Sequence, residues 1–432
     1  TDTGFTNWDT GEVIFRLQLS MGVFTWQTAL LHSTACGMKA GAALEQARAP
    51  AEVGMSAIRL NVLTQTFERE IASGLLPGVV ALISRRGKIG YLESRGQLSP
   101  LSPAPMACDS IFRIYSMTKP VVSVAVLMLA EQGRLLLHEP VSTWLPEFAQ
   151  MQVGVEVAGR LEYEPARAPI TVQDLLRHTA GLTYGFLGTS PVQQLYTEGR
   201  MGAPDIPNAR FCEQLARLPL LAQPGTAWAY SHATDVLGRV IEVISGQTLG
   251  AFLSQHIFVP LDMVDTGFHV PAAEQLRIAE PFETDPQTGM KIELLDVRQI
   301  HAFESGGGGL VSTATDYARF LSALRGGDAA TRLLSRQTLA FMTADHLGAR
   351  PVLGDVLPAG HGFGLGFAVR TEAGLAASPG SKGLYYWGGI AGTSFFVDPA
   401  EDLFAVLMTQ APVQRLRYRA LFRHLIYAAL DN

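Results

Sequence analysis

The stretch Ser116-Met117-Thr118-Lys119 decides how this chain is interpreted. It joins a strand-like run, residues 111–115, to an apolar run of helical character, residues 121–130. Residues three apart on a helix face the same side, so the Lys119 amine can reach the Ser116 hydroxyl and take its proton. A serine nucleophile needs such a partner because its hydroxyl is weakly reactive alone. The spacing therefore points to nucleophilic catalysis.

The residues that follow indicate a buried helix. Pro120 suits a first helical turn, and the run after it is apolar on nearly every side until Gly133. Ser116 would then lie at the N-terminus of a buried helix, where backbone N–H groups and the helix dipole favour developing negative charge. The same letters also fit an N-cap serine followed by a lysine without a special role. Further motifs have to separate the two interpretations.

Two such motifs follow in the second half of the chain. Tyr230 stands in Trp228-Ala229-Tyr230-Ser231-His232, just ahead of apolar residues at helical spacing, where its phenol can face a pocket and move a proton. Tyr386-Trp387-Gly388-Gly389-Ile390 lies between two strand-like runs. Glycines beside a strand let another group approach the backbone closely, as an oxyanion-hole donor requires. Singly, the motifs also fit a core tyrosine and a hairpin turn, but their order along the chain favours a site.

With these three motifs the chain resembles the serine β-lactamase/penicillin-binding-protein superfamily, and within it the family VIII carboxylesterases. Their pattern is S-x-x-K, a Tyr-x-x element and W-G-G, and they look like class C β-lactamases but mostly hydrolyse carboxylic esters. The resemblance covers roughly residues 51–432 and includes segments 175–182 and 306–313. It implies a catalytic set of Ser116, Lys119 and Tyr230. It also implies oxyanion and substrate contacts from Ile390, Trp387, Gly388, Gly389 and His232.

Two positions depart from the class C pattern. His232 stands where the tyrosine element of those lactamases ends in Asn, and its role stays open. Trp387 replaces the lysine of K-T-G, which recognises the substrate carboxylate, and offers only an apolar face and one N–H donor. The resemblance therefore implies a serine carboxylesterase that hydrolyses short-chain, neutral esters through an acyl-enzyme on Ser116. Whether Lys119 or Tyr230 is the resting base is left open by the sequence.

Several other functions compete with this interpretation. A β-lactamase or D-amino-acid peptidase of the same superfamily is disfavoured by Trp387, while an acyltransferase would carry the same three motifs. An α/β-hydrolase esterase would normally show G-x-S-x-G, which does not occur in this sequence. A non-enzymatic binding module is least favoured because both Ser116 and Lys119 are kept.

Composition restricts the class of protein further. The net charge is −6 and no basic cluster exceeds Arg85-Arg86, which argues against nucleic acid as a partner. No apolar run reaches the length of about 18 residues expected of a membrane span. The sequence has no C-x-x-C or H-E-x-x-H motif, so we expect no metal and no cofactor. An odd, sparse set of cysteines (Cys36, Cys108 and Cys212) gives no support to a disulfide framework and fits a cytoplasmic protein. A small-molecule ester is then the expected partner.

The order of strand and helix patterns predicts an α+β fold of the serine β-lactamase type. An antiparallel sheet built from both ends of the chain is flanked by terminal helices, and a mostly helical region is inserted between them. We expect an N-terminal extension of unknown role at 1–50, in which 13–36 weakly resembles a signal or lipoprotein segment. The catalytic domain, 51–432, would comprise a sheet subdomain (about 51–115 and 346–432) and a helical subdomain (about 116–345). The long apolar stretch 183–225 is typical of a lid or binding loop.

Overall fold

The computed structural model describes residues 44–199, 201–326 and 332–431. The α-helices are α1 Ala57–Ala72, α2 Thr118–Glu131, α3 Val172–Leu176, α4 Pro191–Glu198, α5 Asn208–Leu215, α6 Ala233–Ser245, α7 Leu249–Leu253, α8 Ala314–Leu324, α9 Arg336–Met342 and α10 Arg415–Ala428. The strands are β1 Gly78–Arg85, β2 Lys88–Ser99, β3 Ser102–Pro105, β4 Phe112–Arg113, β5 Gln152–Val157, β6 Arg160–Pro165, β7 Trp228–Ala229, β8 Val311–Ser312, β9 Val352–Leu353, β10 His361–Phe363, β11 Ala368–Arg370, β12 Tyr385–Gly388, β13 Ser394–Asp398 and β14 Leu403–Met408.

Eight strands form one central sheet in the order β10-β11-β12-β13-β14-β1-β2-β3, and neighbouring strands run antiparallel. The early strand β1 pairs with the last strand β14, with Val80 opposite Met408. Both ends of the catalytic region therefore contribute to a single sheet, and the predicted α+β layout is confirmed.

Both faces of the sheet are buried, which explains why β1 reads as one continuous apolar run. Val79, Ala81 and Ile83 pack in a core with residues of α1 and α10. Val80 and Leu82 point to the opposite face, into the larger core that contains α2 and α8. Because side chains alternate along a strand, a helix layer on each face requires apolar residues at every position.

The inserted region holds the nucleophile turn in place through a short strand pair. Strand β4 pairs with β8, with Phe112 opposite Ser312. This pairing brings the chain at residue 115 beside the glycine-rich segment 306–309, although the two are far apart in sequence. Strands β5 and β6 form a second pair within this region, which was not predicted from the sequence.

Some predicted elements differ in extent. Residues 363–370 have the sequence pattern of one strand, but they contribute to two antiparallel strands, β10 and β11. The chain reverses at Gly366, whose φ is +100°. The long stretch 183–225 is not without secondary structure, since it contains α4 and α5. The predicted extension lies outside the described residues up to residue 43, and the division into two subdomains stays a prediction.

The cysteines differ in state. Cys108 is disulfide-bonded, which the sequence patterns gave no reason to expect, whereas Cys212 is a free and buried thiol.

Among the described residues, no single helix combines the length and hydrophobicity that crossing a membrane requires.

Candidate active site

The nucleophile candidate lies on a strained turn at the start of a buried helix. Ser116 is half-buried in a single 3₁₀ turn, Tyr115–Met117, that leads directly into α2. Tyr115 has a φ of +43°, a left-handed conformation that a non-glycine residue rarely adopts. The Tyr115 hydroxyl accepts a hydrogen bond from the Leu295 N–H at 2.8 Å, which anchors the strained residue. Such strain is kept where the surrounding structure imposes it, and it clusters at functional sites.

Lys119 is buried below Ser116, with its Nζ surrounded by oxygen atoms. Its Nζ donates to the Gly307 carbonyl at 2.7 Å and to the Tyr184 hydroxyl at 3.0 Å, and lies 3.4 Å from Ser116 Oγ. The contact with Ser116 is longer than an ordinary N–H···O bond, as is common in sites without substrate. The sequence prediction that this lysine reaches this serine is consistent with the geometry.

Tyr230 lies beside Lys119, but it does not form the hydrogen bond that a direct relay would use. Its ring centroid is 4.6 Å from Lys119 Nζ, a cation–π distance. Its hydroxyl accepts a hydrogen bond from Trp387 Nε1 at 3.1 Å. The structure therefore brings the Tyr-x-x and W-G-G motifs into direct contact.

Tyr184 is the phenol that Lys119 contacts, and the sequence interpretation missed it as a site residue. Burial, together with the nearby charges of Asp235 and Tyr230, raises the pKa of Tyr184 well above its usual value. Its hydroxyl therefore stays protonated at neutral pH. The only signal in the sequence was its position in the apolar stretch 183–225, which does not single out one tyrosine.

A buried carboxylate, also missed, supports this cluster from α6. Asp235 accepts hydrogen bonds from His232 Nδ1 at 2.9 Å, the Ser305 hydroxyl at 2.6 Å and the Gly307 N–H at 2.8 Å. Burial alone would raise the pKa of Asp235, but the hydrogen bond from His232 and the charges of His232 and Lys119 outweigh it, and the net shift is downward. Gly307 thus connects the two side chains, since its N–H faces Asp235 and its carbonyl faces Lys119.

His232 lines the cavity on the side of Tyr184. The two ring centroids are 4.2 Å apart, and the His232 side chain is largely buried. Because Asp235 holds Nδ1, the imidazole has a fixed orientation. The structure therefore places His232 in the wall of the site and tied to a carboxylate.

The W-G-G motif forms the opposite wall, at the end of β12. A Cβ on Gly389 would lie 2.3 Å from the Ile114 carbonyl oxygen, and one on Gly388 would lie 2.6 Å from the Arg419 guanidinium carbon. Gly389 therefore requires glycine because a backbone carbonyl blocks a side chain there, whereas at Gly388 the Arg419 side chain occupies the space. Ile390 lines the same cavity as Ser116, and its N–H has no hydrogen-bond acceptor among the described residues. Its role as an oxyanion-hole donor stays a prediction.

The predicted site residues line one cavity of about 1370 Å³, apart from Lys119 beneath it and Gly389 behind its wall. The stretch 183–225 contributes mostly apolar side chains to this cavity, including Tyr184, Phe186, Leu187 and Met201. Its expected role in lining a pocket fits this placement. The cavity thus combines a hydroxyl with a buried amine, an unpaired backbone N–H and a wide apolar wall.

Comparison with known proteins identifies the family. The model of the Beta-lactamase family matches residues 63–428. Esterase EstB from Burkholderia gladioli is 33% identical over 367 residues, which cover 80% of this chain and 89% of the relative. An uncharacterized protein of Mycobacterium tuberculosis is 35% identical over 360 residues, with the same coverage of 80% and 89%.

A solved structure shows the same architecture. The hydrolase EstCE1, whose title describes promiscuous acyltransferase activity, superimposes with a TM-score of 0.72 at 30% sequence identity. The match covers 86% of this chain and 98% of EstCE1. Together with the family model, this confirms the resemblance first seen in three short motifs. The chain belongs to the beta-lactamase family.

Proposed function

We propose that this protein is a serine carboxylesterase that cleaves short-chain carboxylic esters through an acyl-enzyme on Ser116. One observation carries the proposal: the buried amine of Lys119 lies 3.4 Å from Ser116 Oγ, with two phenols beside it. The esterase relatives support ester hydrolysis as the reaction class.

In the proposed acylation step, Ser116 Oγ attacks the ester carbonyl carbon while its proton passes to neutral Lys119. The carbonyl oxygen becomes an oxyanion, which the backbone N–H groups of Ser116 and Ile390 stabilise. Loss of one donor of this kind costs about 3 kcal/mol in comparable enzymes. The C–O bond to the alcohol then breaks, and the alcohol leaves with the proton that Lys119 carried.

Deacylation repeats these steps with water as the nucleophile. Water gives its proton to the Lys119 cluster, attacks the acyl-enzyme, and the proton returns to Ser116 Oγ as the acid leaves. Tyr184 and Tyr230 both lie beside Lys119, and their rings contact each other. Tyr184 can hand on a proton through its hydrogen bond to Lys119. Tyr230 accepts a hydrogen bond from Trp387 and keeps its own O–H free to donate.

The nucleophile is tested with Ser116→Ala. We expect esterase activity to disappear while the fold is kept, since a hydroxyl at a helix start contributes only about 1 kcal/mol to stability. Hydrolysis of p-nitrophenyl butyrate, circular dichroism and thermal unfolding measure the two effects. A fluorophosphonate should label Ser116 covalently. Wild-type rates in a folded Ser116→Ala protein would contradict the assignment of Ser116 as the nucleophile. Labelling of another serine alone would contradict it as well.

Acyl transfer to an alcohol is the second candidate, and the size of the cavity favours it. A volume of about 1370 Å³ exceeds the roughly 300–1,000 Å³ of ordinary small-molecule sites. A second molecule can therefore occupy the site beside the acyl group. Adding an alcohol to the p-nitrophenyl ester assay and separating free acid from new ester distinguishes transfer from hydrolysis.

A further inference from the structure

The cavity that contains Ser116 continues past strand β12 to the face of helix α10. Side chains alternate along this strand, so Trp387 contacts Tyr230 while Gly388 faces α10. The Arg419 guanidinium lies against Gly388, in the space that a side chain would otherwise fill. Gly388 therefore marks the boundary between the catalytic cluster and a second part of the cavity.

Three arginines line this second part. Arg415, Arg419 and Arg423 follow one another at four-residue spacing, so they share one stripe of α10. We call this region the arginine groove and define it by these three residues with Gly388, Ser378 and Ser394. None of the three arginines forms an ion pair with a carboxylate among the described residues. Arg417, on another side of the same helix, pairs with Glu70.

The arginines of the groove have only neutral partners. Arg419 Nη2 donates to the carbonyls of Thr393, at 3.0 Å, and Gly389, while its buried Nε has no partner. Arg423 Nη1 donates to the Ser378 hydroxyl at 3.3 Å, and its guanidinium lies 4.6 Å from the Tyr386 ring centroid. Burial lowers the pKa of Arg419 to about 10, so it remains charged at neutral pH. All three side chains are partly shielded from solvent, and shielded charges are normally paired, so this cluster is suited to an anion.

The nearby carboxylates do not supply that anion. Asp235 is bound by His232, Ser305 and the Gly307 N–H, as described above. Asp398 acts on Arg423 from a distance, but it accepts hydrogen bonds from the Ser381 N–H at 3.0 Å and the Ala400 N–H at 3.1 Å, and from Tyr427. Asp355 lines the cavity but is exposed to solvent. The groove therefore keeps an excess of positive charge.

We propose that the arginine groove binds a carboxylate at the far end of the acyl chain of an ester substrate. The inference rests on the proposed ester hydrolysis at Ser116 and adds to its short-chain, neutral substrates a second class, longer esters whose acyl chain ends in a carboxylate. A carboxylate close to the reacting carbonyl, as in a β-lactam, would meet Trp387 instead. Only an acyl chain extended past Gly388 reaches the arginines. An uncharged chain of the same length would have no partner there.

Matched substrates test this inference. The mono-p-nitrophenyl esters of adipate and suberate are compared with the p-nitrophenyl esters of 6-methylheptanoate and 8-methylnonanoate, in which two methyl groups replace the carboxylate oxygens. We expect kcat/KM of the wild type to favour at least one charged ester about tenfold or more, the range that a charge-assisted hydrogen bond gives. This charged-to-neutral ratio should fall by a similar factor in Arg423→Gln and in Arg415→Gln. Arg417→Gln, the matched control on the same helix, should keep the ratio.

The outcomes separate the two proposals. Two results would overturn the inference and leave the esterase assignment intact. One is faster hydrolysis of the neutral esters than of their charged isosteres. The other is a charged-to-neutral ratio of kcat/KM that is unchanged in both Arg415→Gln and Arg423→Gln. Failure to hydrolyse any ester would contradict the proposed function instead. In that case thermal unfolding gives the answer without turnover. Octanoate, but not octanamide, should raise the Tm of the wild type, and it should not raise the Tm of Arg423→Gln. Equal Tm shifts of the wild type by octanoate and octanamide would refute carboxylate binding in the arginine groove.

Discussion

At the scale of single residues, the site depends on how Lys119 is held. Its amine is buried, yet its bonded partners are a carbonyl and two hydroxyls and not a carboxylate. Asp235 is kept one residue away, beyond Gly307. In the proposed mechanism Lys119 therefore exchanges protons with neutral oxygen partners and not with a directly bonded carboxylate.

The proton-transfer cluster should act as one unit. We expect Lys119→Ala and Tyr230→Phe each to lower kcat by about 10²–10⁴, and the double variant to lose little more, because residues of one proton-transfer unit are not additive. Lys119→Arg should be nearly as inactive as Lys119→Ala, since a guanidinium does not deprotonate. Steady-state kinetics on p-nitrophenyl butyrate measure these losses.

Tyr184→Phe is the informative comparison for that cluster, because it removes only the hydroxyl that contacts Lys119. A loss as large as that of Tyr230→Phe would show that both phenols serve proton transfer. Strictly additive losses across Lys119, Tyr184 and Tyr230 would instead mean that they do separate work.

His178 gives a prediction for stability against pH. It is fully buried against Tyr230, its Nδ1 lies 3.1 Å from the Ser231 hydroxyl, and burial lowers its pKa well below 6.5. The folded protein therefore keeps it neutral, while the unfolded chain takes up a proton below about pH 6.5. The stability it confers is present above that pH and is lost as the pH falls, by up to about 2 kcal/mol at pH 5.

His178→Asn tests this prediction. Asparagine tolerates the positive φ of +56° at this position and does not titrate. The free energy of unfolding, measured in urea at pH 8 and pH 5, should change less with pH in the variant than in the wild type. The same pH dependence in both proteins would exclude His178 as its source.

Sequence reasoning found the site residues that stand in motifs and missed those defined only by contact. Ser116 and Lys119 are three residues apart, so helix geometry alone joins them. Tyr184 lies 65 residues from Lys119, and no local pattern distinguishes it from other buried tyrosines. Asp235 is on an apolar helix, where only the structure reveals that it binds the Gly307 peptide. Long-range contacts of this kind depend on the packing of the whole domain.

At the scale of elements, the turn after β12 sets the position of the expected oxyanion donor. We expect Gly389→Ala to push this turn away from the Ile114 carbonyl and to lower kcat about tenfold or more, with a stability cost of about 1–3 kcal/mol. Gly374→Ala is the matched control, because a Cβ there meets nothing within 4 Å. Kinetics and thermal unfolding compare the two variants, and equal activity would show that the turn tolerates displacement.

The sequence predicts best those elements whose apolar residues recur at a regular helix or strand spacing and whose ends are marked by a turn or capping residue. The spacing of apolar residues alone indicates a helix over Ala314–Leu324, the bounds that α8 has, and it also indicates α1 and the β1–β2 hairpin. The hairpin β5–β6 was missed although its sequence carries a strand pattern, since Val153, Val155 and Val157 alternate with other residues before the turn at Gly159.

At the scale of the whole molecule, the cavity wall predicts selectivity. Trp387 offers no charge to a carboxylate beside the reacting carbonyl, whereas a short neutral ester needs none. We expect good turnover of p-nitrophenyl acetate and butyrate, and weak or absent turnover of nitrocefin and first-generation cephalosporins. The missing charge-assisted bond is worth about 1.5–3 kcal/mol, or about one to two decades in kcat/KM. A larger kcat/KM on a cephalosporin than on p-nitrophenyl butyrate would reassign the protein as a β-lactamase.

The pairing of β1 with β14 also has a consequence for synthesis on the ribosome. Strand β1 is apolar on both faces, and one of its edges stays open until β14 has been translated. Helix α10, which covers one face of the sheet, is made later still. Nascent chains therefore carry an unpaired hydrophobic edge from the synthesis of β1 until that of β14, the condition under which strands join neighbouring chains. Premature termination before residue 403 should leave a product that aggregates and depends on chaperones, even though the nucleophile and its lysine have already been made.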